Sequence, residues 1–296
     1  MKREHWVWGA MAGIALSGCS DSTKPVPLAI PSFIVVGDSG AVSHLYRVQD
    51  SVETQLTTGP WSDFDPSSAA GRIVYTSDRT GNFEVYIADT SVTVSRQITN
   101  NSGEDAHPAL SPDGLTIVFV SNRSGAPRLW SVPAPALDAM TFDSPVAIAT
   151  GSTTEIPEGA PAWSPDGSTL AFSSARSGTS QIFTMPAAGG DAAELTTEAG
   201  GAFSPTWSAD GQTIYYLSAT GTVHLRRIAS AGGSASDFAS DSLDLDAASC
   251  NSSVCVAAEN PGGNRGSILA FPTAGGKGQA VLARTHNERQ AAILVP

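Results

Sequence analysis

Positive charge is scarce in this chain. Lysine and arginine number 16 against 28 aspartates and glutamates in 296 residues, a formal net charge of −12. A surface this acidic excludes nucleic acid as a partner, because phosphate binding rests on clustered basic side chains. It would also be repelled by anionic lipid, so membrane attachment has to come from an anchor. Charged residues of both signs make up 15%, and no long stretch carries the 3.6-residue period of an amphipathic helix. The apolar run from Trp6 to Leu16 is too short to span a bilayer. Cysteines number three, with no cysteine–histidine cluster at metal-ligand spacing, so no metal and no cofactor are expected. No Gly-x-Ser-x-Gly nucleophile elbow is present.

Glycine and proline are plentiful, at 29 and 19, as many short strands and turns require. The stretch Glu158 to Thr196 shows how they are used. Strands are expected over Ala160 to Ser164, Thr169 to Ser173, Gln181 to Met185 and Ala193 to Thr196. Ser164-Pro165-Asp166-Gly167 closes the first: Pro165 presets φ, Asp166 bonds its own backbone, and Gly167 takes the left-handed position. Ser174-Ala175-Arg176-Ser177-Gly178 closes the second. Four antiparallel strands in about 40 residues make one propeller blade.

The unit recurs. Phe64, Leu110, Trp163, Trp207 and Cys250 stand at equivalent positions, roughly 43 to 53 residues apart. Ser111-Pro112-Asp113-Gly114 and Ser208-Ala209-Asp210-Gly211 repeat the first turn. Ser77-Asp78-Arg79-Thr80-Gly81 and Ser121-Asn122-Arg123-Ser124-Gly125 repeat the second. Blades 2 to 6 then begin near Trp61, Asp105, Glu158, Gly201 and Asp244. The first blade, Phe33 to Leu56, lacks an innermost strand, and Glu288 to Ile293 aligns with Glu158 to Trp163. The expected fold is all-β: a six-bladed β-propeller of four-stranded antiparallel blades, closed by a C-terminal strand joining the N-terminal blade. Closure removes the sheet edge that would otherwise template aggregation. Trp61, Trp163 and Trp207 are expected in the core. Cys250 and Cys255 fall on neighbouring strands and are candidates for a disulfide in an oxidising compartment.

An aromatic residue followed by Ser-Pro-Asp-Gly, a strand, and then Ser-x-Arg-x-Gly resembles the TolB-type propeller repeat, over roughly residues 33 to 296. The resemblance implies an envelope protein that binds a protein or peptide. The α/β domain that precedes the propeller in TolB is missing from the pattern here.

Met1-Lys2-Arg3, the apolar run and Leu16-Ser17-Gly18-Cys19 resemble a bacterial lipoprotein signal. Residues 1–18 are therefore expected to be a signal peptide, 19–31 a lipidated tether on Cys19, and 32–296 the propeller. Cleavage removes Lys2, Arg3 and Glu4 and leaves the chain one unit more acidic. Ser20 at the second mature position resembles sorting to the outer membrane. The expected place is its periplasmic side, with the cell surface as the other option, and the expected state is a monomer.

Gly37-Asp38-Ser39-Gly40 resembles nucleophile segments of serine hydrolases. A protease would need its histidine and aspartate upstream, where only the signal peptide lies. The esterase would need a late Asp-x-x-His, and Ala283 stands where that aspartate belongs relative to His286. The segment reads instead as a strand and a turn of the repeat.

Loops of one propeller face are the default binding site. They carry Asp78, Asp105, His107, Asn122, Glu158, His286, Glu288 and Arg289. If these are exposed loop residues, reversing the charge of Asp105 or Glu158 should leave stability nearly unchanged. Arg79, Arg123 and Arg176 recur at one register and are expected to bridge blades. Two functions remain open: a non-catalytic binding module for an envelope protein or peptide, and a polysaccharide lyase or hydrolase using channel acids and His107.

Overall fold

The computed structural model describes residues 29–139, 144–151, 157–220, 222–238, 245–251, 253–259, 268–273, 279–282 and 287–294. The expected signal peptide and Cys19 lie outside them. Every regular element among the described residues is a β-strand, arranged as six four-stranded antiparallel sheets. Each sheet is one blade.

The innermost strands of blades 2 to 6 are Asp63–Ala69, Asp105–Leu110, Glu158–Trp163, Ala202–Trp207 and Leu245–Cys250. Each is followed in sequence by the other three strands of its own blade. Blade 1 departs from this. Its innermost strand, Asn287–Ile293, comes from the far end of the chain and pairs with Phe33–Ser39, Phe33 facing Ile293 and Asp38 facing Asn287. The ring is thereby closed as the repeat register predicts. The innermost strand of blade 4 starts two residues earlier than the turn signals suggest, at Glu158 rather than Ala160. The first of the added residues is the acid that anchors the blade, described below. The outermost strand of blade 4 is shorter than expected, Ala193–Glu194, because it is exposed and packs on one side only.

Second strands are apolar on both faces. In Arg72–Ser77, Ile73, Val74 and Tyr75 are all fully buried. Alternate residues of such a strand face opposite neighbours. Val74 joins Val85, Ile87, Ile117 and Phe119 in a core shared by blades 2 and 3. Ile73 and Tyr75 join Ile34, Val36 and Leu45 in a core shared with blade 1. Blades 6 and 1 share the core in which Val254 and Val256 meet Phe33, Ala291 and Ile293. The hydrophobic core is therefore six seams, one between each pair of blades. Each fully buried Val, Leu or Ile contributes about 1.5–3 kcal/mol.

The Ser-Pro-Asp-Gly turns close the first hairpin of blades 3 to 5 with one bond pattern. Ser164 Oγ donates to Asp166 Oδ1 at 2.6 Å and accepts from the Thr169 N–H at 2.9 Å. Asp166 Oδ1 also accepts from the Ser168 N–H at 3.0 Å. These donors hold the Asp166 carboxyl down to about 2. Gly167 sits at φ 71°, where any side chain would be strained. Gly40, at φ 74°, turns the hairpin between Phe33–Ser39 and Val42–Gln49. There Asp38 Oδ1 accepts from the Ser43 hydroxyl at 2.7 Å, so Gly37 to Gly40 is the end of a strand and the start of its turn, as the repeat predicts. Cys250 and Cys255 face each other across paired strands and are joined in a disulfide.

Candidate functional site

The six innermost strands surround a central channel holding a cavity of about 620 Å³. Its lining runs from Asp65, His107, Ala160, Ser204 and Gln290 to the Ser-Pro-Asp-Gly turns at Pro112 and Pro165 and their counterpart at Ala209. Trp163 and Trp207 form part of the wall. Both indole N–H groups donate to a carbonyl of the preceding innermost strand: Trp163 to Ala109 at 3.1 Å and Trp207 to Ala162 at 3.2 Å. The tryptophans thus tie blades together while presenting apolar surface to the channel.

A ring of β-bulges marks the inner end of the cavity. The pairing of every innermost strand shifts at the same place: between Val35 and Val36 on the partner of the closing strand, and between Phe64 and Ser67, Ala106 and Ala109, Gly159 and Ala162, Phe203 and Thr206, and Asp246 and Ala248. Asp65, His107, Ala160, Ser204 and Gln290 take positive φ there, between 43° and 52°. Non-glycine residues rarely occupy this region, and they do so where the surroundings enforce it, often at functional sites. In four of the strands the next residue is proline: Pro66, Pro108, Pro161 and Pro205. The innermost strand is an edge strand, so a missing N–H sacrifices no ladder bond and blunts the edge.

On this ring sits a polar belt across blades 1, 2 and 3. Asp65 Oδ1 accepts from Gln290 Nε2 at 2.5 Å and lies 3.2 Å from His107 Nδ1. Its Oδ2 accepts from the His107 N–H and the Thr76 hydroxyl, each at 3.2 Å. The Asp65 N–H returns to Gln290 Oε1 at 2.7 Å. Burial works to raise the Asp65 carboxyl, but the His107 and Gln290 donors outweigh it and hold it below its ordinary value. Burial works to lower His107, but the hydrogen bond and charge of Asp65 outweigh it and raise the imidazole. The ion pair is favoured from both sides. The Asp65 side chain is 7% exposed and that of His107 49%, so the imidazole is the accessible member.

The sequence-predicted loop residues have other surroundings. Asp105 and Glu158, expected as exposed loop acids, are buried. They open their innermost strands and are held by the arginines of the Ser-x-Arg-x-Gly loops, Arg123 at 2.5 Å and Arg176 at 2.7 Å. Arg79 holds Asp63 in the same way at 2.8 Å. Each arginine pairs with the acid of its own blade and lies over its aromatics, Arg79 4.3 Å from the Tyr86 ring centre and Arg123 4.8 Å from that of Trp130. The bridge to the neighbouring blade comes through the acid, and in blade 4 through the arginine as well: Glu158 also accepts from the Thr150 hydroxyl and the Leu129 N–H of blade 3, and Arg176 donates to the Thr150 carbonyl at 2.8 Å. Stability is therefore not indifferent to Asp105 and Glu158. Asp78 and Asn122 hold linker backbone, accepting from the Ser62 and Glu104 N–H groups at 2.7 and 2.8 Å. Glu288 and Arg289 lie in the closing strand; their side chains, and His286, fall outside the described residues.

Of the predicted residues whose side chains are described, His107 alone reaches the channel ring, beside Asp65 and Gln290, which sequence reading passed over. The signal was there: an x-Pro pair recurs at Pro66, Pro108, Pro161 and Pro205, and the residue before each proline faces the channel. Among the described residues, no group of three or more His, Cys, Asp or Glu is placed to hold a metal ion. No helix among them is long and apolar enough to cross a membrane.

A closed six-bladed ring with this channel defines the class, and comparison with known proteins places it further. Residues 144–292 match the TolB beta propeller domain, and the chain belongs to that family. A TolB homolog of Chlorobium chlorochromatii (strain CaD3) is 34% identical over 183 residues, covering 60% of this chain and 36% of that protein. The Tol-Pal system protein TolB of Anaeromyxobacter dehalogenans (strain 2CP-C) is 31% identical over 127 residues, covering 43% of this chain and 24% of that one. The chain thus matches about a third or less of these relatives' lengths. The crystal structure of TolB from Acinetobacter baumannii superposes with a TM-score of 0.75 at 21% identity, over 90% of this chain and 67% of that chain, a likeness of fold.

Proposed function

We propose that this propeller is a non-catalytic binding module for a protein or peptide of the bacterial envelope, held at the membrane by lipid on Cys19. The observation that carries the reading is the preformed channel. It combines apolar walls with a few fixed polar groups, as ligand sites do, whereas Asp105 and Glu158 of the loop face are consumed by their arginines. A partner segment entering from the Ser-Pro-Asp-Gly side meets Trp163, Trp207 and the prolines first and His107 at the inner end. Similarity to proteins named for the Tol-Pal system supports an envelope partner.

Ala209 is exposed at the turn end of the channel, so a large side chain there narrows the mouth without disturbing a seam. Ala209→Trp is expected to reduce cross-linked partner recovery from envelope membranes at least tenfold, with melting unchanged within about 2 °C, since exposed substitutions cost within about 0.5 kcal/mol. Undiminished recovery would remove the channel as the docking site. The Asp65–His107 pair favours a second reading, a lyase or hydrolase acting on a glycan. Glycan turnover lost in His107→Gln, with partner recovery retained, would establish it instead.

The anchor has its own test. Cys19→Ser is expected to move the protein from the membrane to the soluble fraction, because acyl chains supply about 0.8 kcal/mol per buried CH₂. A wild-type protein whose intact mass carries no lipid would refute the anchor.

A further inference from the structure

One position recurs at the seams, buried in three blades and half-buried at Arg128. His44, Glu84, Arg128 and Gln181 stand at equivalent places, each just before a residue whose backbone N–H marks the register. The Leu45, Val85 and Ile182 N–H groups donate to Thr57, Thr99 and Thr196, each at 2.9 Å, while that of Leu129 goes to Glu158. In three of these seams the residue brings no second acid to the next blade. His44 lies 3.9 Å from Asp63, and Arg128 lies 3.6 Å from Glu158. Gln181 is neutral. The seam between blades 2 and 3 is different: Glu84 and Asp105, both fully buried, share one bridging residue, Asn101. Arg123 is bonded to Asp105. Glu84 Oε2 and Asp105 Oδ1 have no hydrogen-bond partner.

Gln181 shows what the position asks for. Its Oε1 accepts from the Glu198 N–H and the Thr196 hydroxyl, each at 2.8 Å, and its Nε2 donates to the Glu198 carbonyl at 2.8 Å. Residue 101 stands to Glu84 as residue 198 stands to Gln181. Glu84 Oε1 accepts from the Asn101 N–H at the same 2.8 Å. The remaining oxygen, Oε2, is the orphan, and it stands where Gln181 carries a donor. The Asn101 carbonyl takes one bond from Asn82 Nδ2 at 3.0 Å and keeps a second lone pair. An ionised carboxylate is an acceptor only and cannot fill a donor's place. A carboxylic acid can.

We propose that the seam between blades 2 and 3 is a built-in proton site: Glu84 is held as the carboxylic acid in the folded protein, its O–H doing what the Gln181 amide N–H does, and loss of that proton loosens the seam. Burial raises the Glu84 carboxyl, and the nearby Asp105 charge raises it further against the opposing donors Thr99, Asn101 and Asn82. Glu104, whose Oε2 accepts from the Phe83 N–H, is the other acid close by. The folded state therefore binds a proton that the unfolded chain releases near the ordinary glutamate value of about 4.3. Stability falls as pH rises from that value and levels off above the raised one.

The test compares the full-length wild type with Glu84→Gln and Gln181→Glu, melted from about pH 4.5 to about pH 8.5, a range beginning at the ordinary glutamate value. Glu84→Gln is expected to flatten the decline, to melt several degrees above wild type at the alkaline end, and to abolish a buried carboxylic-acid band in the infrared spectrum. Gln181→Glu is expected to steepen the decline by importing the acid into the seam between blades 4 and 5. Parallel melting curves for wild type and Glu84→Gln, an unchanged infrared spectrum, or a Glu84→Gln protein that melts far lower at every pH would each overturn the proposal. So would calcium raising the melting point of the wild type but not of Glu84→Gln, since the orphan oxygens would then belong to a cation.

Discussion

Removing residues 287–296 is expected to abolish cooperative folding. The lost strand is the innermost one of blade 1, and it is bonded on three sides. Its backbone pairs along Phe33–Ser39. Ala291 and Ile293 leave the core that blade 1 shares with blade 6. Across the channel side, the Ser68 hydroxyl loses the Ile293 carbonyl at 2.7 Å, and the Ile293 N–H leaves the Ser249 hydroxyl at 3.0 Å. Asp65, buried on the bulge ring, loses both bonds to Gln290. Burial of Ile293 alone is worth about 2–3 kcal/mol, and each strand bond about 1 kcal/mol net. The sum is on the order of 8–10 kcal/mol, against a total stability of about 5–15 kcal/mol for a typical domain. The exposed edge of Phe33–Ser39 then offers a row of unpaired groups to another chain. Size exclusion and thermal melting decide the matter: aggregation or a lost transition is expected. A monomeric truncated protein melting within a few degrees of full length would show that the ring does not depend on its closure.

Much of this architecture was legible because the repeat states it several times. Ser164-Pro165-Asp166-Gly167 and its copies give the turn, the apolar second strands give the seams, and the spacing gives the blade count. Even the closing strand could be found, since Gln290 falls at the register of Ala160. The site was less legible, for two physical reasons. A buried acid and an exposed loop acid look alike in one dimension. Asp105 and Glu158 lie next to loop residues, yet pairing with Arg123 and Arg176 draws them under the blade. The bulge ring was hidden differently. Alternation of side chains along a strand is the signal that sequence reading follows, and a bulge interrupts it. Only proline after the bulge, at Pro66, Pro108, Pro161 and Pro205, betrays it. Blade 5 shows how the repeat is repaired where its signature fails. Ala202 replaces the strand-opening acid, and Glu198 from the preceding linker pairs with Arg226 of the third strand instead.

Glu158→Ala is expected to be the most damaging single substitution on the loop face. The Glu158 carboxylate, fully buried, takes Arg176 and the Thr150 hydroxyl on Oε1 and the Leu129 N–H on Oε2, with Arg128 at 3.6 Å. Truncation leaves two guanidinium groups facing each other in the seam between blades 3 and 4, and a backbone donor and a hydroxyl without their acceptor. Removing one partner of a buried pair costs about 3–5 kcal/mol, because the other charge stays buried and unpaired. At about 2–4 °C per kcal/mol for a chain of this order, the melting point should fall by roughly 6–20 °C. Glu194→Ala, at an exposed acid bonded to the Ser177 hydroxyl, should stay within about 0.5 kcal/mol of wild type. A second substitution checks the mechanism. If the cost is the stranded charge, Arg128→Met in the Glu158→Ala background should recover part of the loss, a coupling that independent sites do not show. The two readings of this carboxylate separate cleanly in one pair of measurements. A protein that melts like wild type yet no longer captures its partner would return Glu158 to the binding surface. A fall in melting point with partial recovery by Arg128→Met keeps it in the seam.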